Sequence, residues 1–191
     1  MSSLKENFEE LLQRLKQRGE LRNTSDDPVF YLVFRPEEML EVKRQYRVWS
    51  ARLKKDGWSV HIFSMADAVK EICQEYALRD VWLEAESEAP LDFDSINETI
   101  KDALLSGDHL NNKLQRKLEE LAGKKDAVLF VTDLEALHPY LRVGSIEQKL
   151  QGKFTVPTVI LYPGVRDGKT TLSFLGIYPA DGNYRSVHIG G

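Results

Sequence analysis

The chain has 191 residues, with 26 lysines and arginines against 30 aspartates and glutamates, which gives a formal net charge of −4. This length suits one domain with a sizeable core, and the net acidity argues against a surface that binds nucleic acid or anionic membrane throughout, although a local basic patch stays open. The single Cys73 excludes an internal disulfide framework, and the lack of a signal segment or of an apolar run near ~20 residues predicts a cytoplasmic protein.

The first half of the sequence alternates helical and strand patterns. After an N-terminal amphipathic helix, the uninterrupted apolar run 29–34 predicts a strand that is buried on both faces of a mainly parallel sheet. Pro36 then opens an amphipathic helix over about 37–56. Residues 58–63 form a second predicted strand, and Ser64 is placed to cap the helix that follows.

The middle of the chain is acidic. Residues 84–94 predict an exposed acidic connector, a lid or an insertion. Residues 81–83, just before it, fit either a short edge strand or the end of a helix. A helical pair over about 95–122 follows, with Ser95 as the predicted cap of its first member.

The C-terminal part predicts two more strands of the sheet and a hairpin. Residues 127–132 form a third buried strand, and 156–162 a fourth. Asp167 and Gly168 predict a tight turn, so that residues 171–178 return as the hairpin partner. The final two glycines are expected to form a frayed end.

These elements predict a single α/β domain over residues 1–191. We expect three layers, in which helices flank a mainly parallel sheet, with an antiparallel hairpin at its C-terminal edge.

Chemistry in such a fold is expected where the parallel strands end, and Asp133 follows the third strand. An acid at the end of an apolar run resembles the Walker B strand of nucleotide hydrolases, where it holds magnesium. The simpler interpretation is that Asp133 caps the next helix, and the absence of a phosphate loop favours it.

The segment 164–170 resembles a phosphate loop but is one residue too short for G-x-x-x-x-G-K-[ST]. An alternating strand follows it, whereas a phosphate loop leads into a helix, so the hairpin interpretation is preferred. Neither G-x-G-x-x-G nor G-x-S-x-G occurs, and the histidines lack metal-ligand spacing. We therefore predict no cofactor, no metal and no catalytic residue.

Basic side chains cluster on the helix at 37–56. Lys43, Arg47 and Lys54 share one helical face, which would contact phosphates if it were functional. The preferred interpretation is an ordinary solvated face, since cations are common towards a helix C-terminus. Direct binding of nucleic acid by this face is the least favoured of the functions considered.

The most distinctive sequence pattern lies in the C-terminal third of the chain. It comprises Leu129–Asp133, Leu137–Val143, Val156-Pro157, Leu161–Gly164, Phe174–Gly176 and Tyr184-Arg185. This pattern resembles BrxB, the small protein of BREX bacteriophage-exclusion systems, a family without a catalytic motif to transfer. The resemblance implies a fold similar to a P-loop ATPase core that lacks its phosphate loop.

The resemblance also implies a role. It suggests a non-enzymatic adaptor in phage defence, with the alkaline-phosphatase-like PglZ as the first partner and other BREX components as further ones. Tyr140 and Arg142 are the preferred interface residues, with Asp133 beside them, because Tyr and Arg are enriched at interface hot spots. Alternatively, Tyr140 packs in the core and Arg142 pairs with Glu147. A divergent nucleotide-binding or hydrolysing protein that uses Asp133 and Arg142 is the second hypothesis.

Overall fold

The computed structural model describes residues 3–20, 27–167, 171–179, 181–182 and 186–191. The strands are β1 (Val29–Phe34), β2 (Ser59–Ser64), β3 (Ala127–Thr132), β4 (Thr158–Asp167), β5 (Thr171–Phe174), β6 (Asp181–Gly182) and β7 (Val187–Gly190). The helices are α1 (Leu4–Glu20), α2 (Met39–Lys55), α3 (Met65–Glu75), α4 (Arg79–Glu88), α5 (Phe93–Leu105), α6 (His109–Leu121) and α7 (Val143–Lys149). Among the residues that the structure describes, no helix is both long and apolar enough to cross a membrane.

The main sheet has the strand order β2-β3-β4-β1-β7, and each neighbouring pair in it is parallel. This arrangement confirms the mainly parallel α/β fold. The central β1 and β3 are buried along their whole length, as their uninterrupted apolar runs predicted. All the parallel strands end at the same edge of the sheet, so the residues that follow them lie close together.

Two hydrophobic cores cover the two faces of the sheet. Alternate side chains of a strand point to opposite faces, so Tyr31 belongs to one core and its neighbours Phe30 and Leu32 to the other. Helices α1 and α2 cover the face of Phe30, where Phe8 stacks on Trp49 with ring centroids 4.9 Å apart. Helices α3, α5, α6 and α7 cover the face of Tyr31. The predicted three layers are therefore confirmed.

The predicted antiparallel hairpin is present. Strand β4 runs beyond the main sheet, and its residues 164–167 pair with β5. The hairpin thus extends from the C-terminal end of β4, which is an interior strand of the main sheet. Strand β7 forms the edge of that sheet beside β1. Because a strand follows segment 164–170, the hairpin interpretation of that segment is confirmed over a phosphate loop; Gly168 lies outside the described residues.

The acidic segment 84–94 is largely helical, which corrects the connector expected there. Residues 81–83 lie inside α4, and so do the first five residues of the supposed connector. The Asp92 carboxylate accepts a hydrogen bond from the Ser95 amide, so Asp92 caps α5 in place of the predicted Ser95. Glu and Ala have high helix propensity, which favours the helical conformation of this stretch. Its many acidic residues had suggested an exposed connector instead.

The C-terminus is ordered as a strand, so the expected frayed end was wrong. Strand β7 pairs with β1, and Gly190 has a φ of +79°. A Cβ at Gly190 would lie 2.4 Å from Asn7 Nδ2 and 2.6 Å from the Val33 carbonyl oxygen. The end of the chain is therefore packed against α1 and β1.

Candidate functional site

A polar cluster lies where β2 and β3 end. The two strands are in register, with Ser64 opposite Thr132, so both hydroxyls come beside Asp133, the next residue. Lys43 reaches the cluster from α2, and Glu135 joins it from the turn after β3. We call these five residues the Asp133 cluster.

Hydrogen bonds and ion pairs join the members of the Asp133 cluster to one another. The Asp133 carboxylate accepts from Ser64 Oγ at 2.8 Å and from Thr132 Oγ1 at 2.7 Å. Its other oxygen lies 2.9 Å from Lys43 Nζ, which is also 2.5 Å from a Glu135 carboxylate oxygen. One lysine therefore bridges two carboxylates at the end of β3.

Asp133 does not cap the following helical turn with its side chain, which corrects the simpler interpretation of this residue. Its carboxylate makes no capping hydrogen bond, and only its backbone carbonyl accepts from the Ala136 amide. Asp133 has a φ of +59°, a left-handed conformation that Asp tolerates better than most residues. This backbone turn directs the side chain towards Ser64 and Thr132, away from the helical turn.

The electrostatics of the Asp133 cluster favour its charged form. Burial alone would raise the pKa of Asp133, but the bonds from Lys43, Thr132 and Ser64 outweigh burial and hold the pKa below its usual value. Burial alone would lower the pKa of Lys43, yet its two carboxylate partners raise it. Within the described ranges, no group of three or more His, Cys, Asp or Glu side chains gathers as a metal site. Lys43 thus pairs with both carboxylates, and the cluster keeps a net charge of −1.

We expect Asp133→Ala to lower the free energy of unfolding by about 1–3 kcal/mol, because it leaves two hydroxyls and Lys43 without their shared acceptor. Asp133→Asn should cost less, since asparagine tolerates positive φ and still accepts hydrogen bonds. Urea unfolding of both variants checks the order. Equal losses of unfolding free energy in the two variants would show that the hydrogen bonds of Asp133 contribute nothing beyond its charge.

A second group of side chains brings together residues that follow β3 and residues that follow β5. The guanidinium carbon of Arg142 sits 4.6 Å from the centroid of the Tyr178 ring, and the ring hydroxyl is hydrogen-bonded to His138 Nδ1. Ile177, next to Tyr178, is 68% exposed. We call His138, Arg142, Ile177 and Tyr178 the Arg142 rim.

Arg142 does not pair with Glu147, the local partner considered from the sequence. Glu147 is instead hydrogen-bonded to the Tyr31 hydroxyl at 2.5 Å and to Ser186 Oγ, and burial raises the pKa of Glu147. Arg142 Nη1 lies 3.5 Å from the Pro179 carbonyl oxygen. Arg142 therefore belongs to the Arg142 rim, and Glu147 to the partly buried contact with β1.

Tyr140 belongs to the same segment as Arg142. It is half-buried and packs against the core on the Tyr31 face, and burial raises the pKa of Tyr140. The aromatic ring that Arg142 contacts is Tyr178. Sequence reasoning missed Tyr178 because nothing in the local spacing links it to a residue 36 positions earlier.

The comparison with family models decides which family this chain belongs to. Residues 61–189 match the model of the BREX protein BrxB, which is well over half of the chain. The chain belongs to the BrxB family. It is therefore a component of a BREX phage-defence system, and other BREX components are its expected partners. No curated protein and no solved structure matches it.

The BrxB match covers both polar groups except for Lys43. It includes Asp133 and the Arg142 rim, whereas α1, β1 and α2 lie before its first residue. The likeness to a P-loop ATPase core that the resemblance implied is not confirmed. The route from β1 to α2, where a phosphate loop would lie, is a short turn at Pro36–Glu38.

The basic face of α2 also lies outside the BrxB match. Lys43 is occupied by Asp133 and Glu135, while Arg47 and Lys54 are exposed. No ion pair forms at Arg47 or Lys54 with another residue of the described ranges. Of the three cations that the sequence placed on this face, Arg47 and Lys54 are therefore free of ion pairs with the described residues, whereas Lys43 is paired.

Proposed function

We propose that this BrxB-family protein is a non-enzymatic assembly component that binds the PglZ protein of its BREX system. Family membership supports the BREX role, and the sequence resemblance suggests PglZ as the first partner. The observation that carries the proposal is the Arg142 rim, in which the half-buried pair Arg142 and Tyr178, residue types enriched at interface hot spots, lies beside the exposed His138 and Ile177.

The rim is held in place before any partner arrives. Tyr178 is fixed by the hydrogen bond to His138 and by stacking on Phe174, with ring centroids 6.1 Å apart. Arg142 lies over the Tyr178 ring, where a cation–π contact orders its long side chain. Side chains ordered in advance lose less conformational entropy on binding, which favours affinity. Exposed Ile177 adds apolar area beside them.

The Asp133 cluster supports the non-enzymatic part of the proposal. Lys43 bridges both carboxylates, so its charge is already engaged, and a nucleotide phosphate or a magnesium ion would have to break those ion pairs to bind there. Calorimetry with millimolar ATP and magnesium tests this part. We expect no binding heat, and saturable heat would overturn it.

The PglZ proposal is tested by co-expression followed by size-exclusion chromatography. We expect the wild-type protein to co-elute with PglZ, and the double variant Arg142→Glu/Ile177→Asp to elute separately, because it places two carboxylates on the rim. Leu40→Ser/Val48→Ser is the matched control, since both residues are exposed on α2, at 70% and 61%.

Two outcomes would contradict this proposal. Separate wild-type peaks at micromolar concentration would count against a stable complex with PglZ. Co-elution of the rim variant as efficiently as the wild type would place the interface elsewhere. Melting curves of both variants show whether they are folded.

A further inference from the structure

Helix α4 and the residues on either side of it carry large apolar side chains that are exposed. None of the residues of α4 is buried, and Leu78, Val81 and Leu83 are exposed. Two more exposed side chains follow α4: Leu91 in the turn and Phe93 at the start of α5, which are 82% and 63% exposed. We call these five side chains the α4 face.

The helix is nevertheless anchored to the rest of the protein. Trp82 stacks on Tyr76 with ring centroids 4.5 Å apart, and α4 packs against α3 and α5. The side of α4 that carries Trp82 thus contacts the protein, while Val81 and Leu83 lie on its two flanks and are exposed. An exposed group of large apolar side chains on a well-packed protein is typical of an interaction surface.

The charges around the α4 face are mostly negative. Residues 78–94 contain one cation, Arg79, and six carboxylates: Asp80, Glu84, Glu86, Glu88, Asp92 and Asp94. None of the six forms an ion pair with any side chain that the structure describes. Neighbouring α3 differs, because Lys113 lies 2.8 Å from a Glu71 carboxylate oxygen and 3.7 Å from one of Glu75.

We infer that the α4 face docks a basic amphipathic helix of another protein of the BREX system. Apolar side chains of that helix would cover Val81, Leu91 and Phe93, and its lysines or arginines would meet the unpaired carboxylates. The carboxylates would repel an anionic membrane, so a protein is the occupant that the charge favours. The inference rests on the proposed role as an assembly component, and it adds a second interface of opposite charge to the Arg142 rim.

A fluorescently labelled helical peptide of leucine and lysine is the probe, and a peptide of leucine and glutamate is its control. We expect the basic peptide to bind the wild-type protein measurably by anisotropy, and the acidic peptide not to bind. In Leu91→Ser/Phe93→Ser the affinity for the basic peptide should fall at least about tenfold. In Leu40→Ser/Val48→Ser, which removes two side chains of similar exposure, it should stay unchanged.

Added salt should weaken binding of the basic peptide, because the carboxylates are exposed and screened. Equal affinity of wild type and Leu91→Ser/Phe93→Ser for the basic peptide would overturn the inference, and so would equal binding of the two peptides. The assay contains no PglZ, so its failure leaves co-elution with PglZ unaffected. Conversely, lost co-elution with intact peptide binding would reject the PglZ proposal alone.

Discussion

Replacing Gly190 with alanine is expected to lower the free energy of unfolding by about 2–4 kcal/mol, although the residue is the second from the end. A residue with a Cβ at a φ of +79° costs about 1–2 kcal/mol. The new methyl group would also lie 2.6 Å from the Val33 carbonyl oxygen, a backbone atom of β1 that cannot move aside. Such overpacking adds about 1–3 kcal/mol.

Gly123→Ala is the matched control for this prediction. Gly123 has the same φ of +79°, but no other atom lies within 4 Å of the position of its added Cβ. The control therefore isolates the backbone cost, and the difference between the two variants measures packing at β7. Equal losses of unfolding free energy in urea would contradict the close contact between β7 and β1.

Acidification from pH 7 to pH 4.5 is expected to cost about 2 kcal/mol of stability through His188 alone. Burial, assisted by the charge of Arg166, lowers the pKa of His188 to about 4. The pKa in the unfolded chain is about 6.5, so between these two values the unfolded state binds a proton that the folded state does not. Stability is therefore fully present above about pH 6.5 and is lost as the pH falls towards 4.

His188→Gln removes this titration, so its unfolding free energy should depend less on pH than that of the wild type. Urea unfolding of the two proteins at pH 7 and pH 4.5 gives the comparison. Parallel losses in the wild type and His188→Gln would show that His188 is protonated in the folded protein.

The sequence predicted the centre of the sheet better than its edges. Strands β1 and β3 are apolar at nearly every position because they are buried on both faces, so their patterns were unambiguous. Strand β7 has only four residues, including His188 and Gly190, and no local pattern distinguishes such a segment from a loose terminus. Its pairing with β1 is a tertiary contact across most of the chain.

The candidate site was predictable where strand register determines it. Ser64 is the last residue of β2 and Asp133 directly follows the neighbouring parallel strand β3, so the fold brings the two side chains together. Lys43 was assigned to a basic face because only its neighbours on α2 were visible, whereas its partners lie after β3. Tyr178 lies beneath Arg142 because the hairpin β4–β5 brings the residues after β5 back towards the segment after β3. The spacing of residues along the chain does not predict this contact.

Calorimetric titration of purified PglZ into this BrxB-family protein tests the assembly role most directly. The account predicts saturable binding heat with a micromolar or tighter Kd, lost in Arg142→Glu/Ile177→Asp and retained in Leu40→Ser/Val48→Ser. The absence of binding heat at micromolar concentrations of both proteins, supported by unchanged melting of each in the mixture, would contradict it.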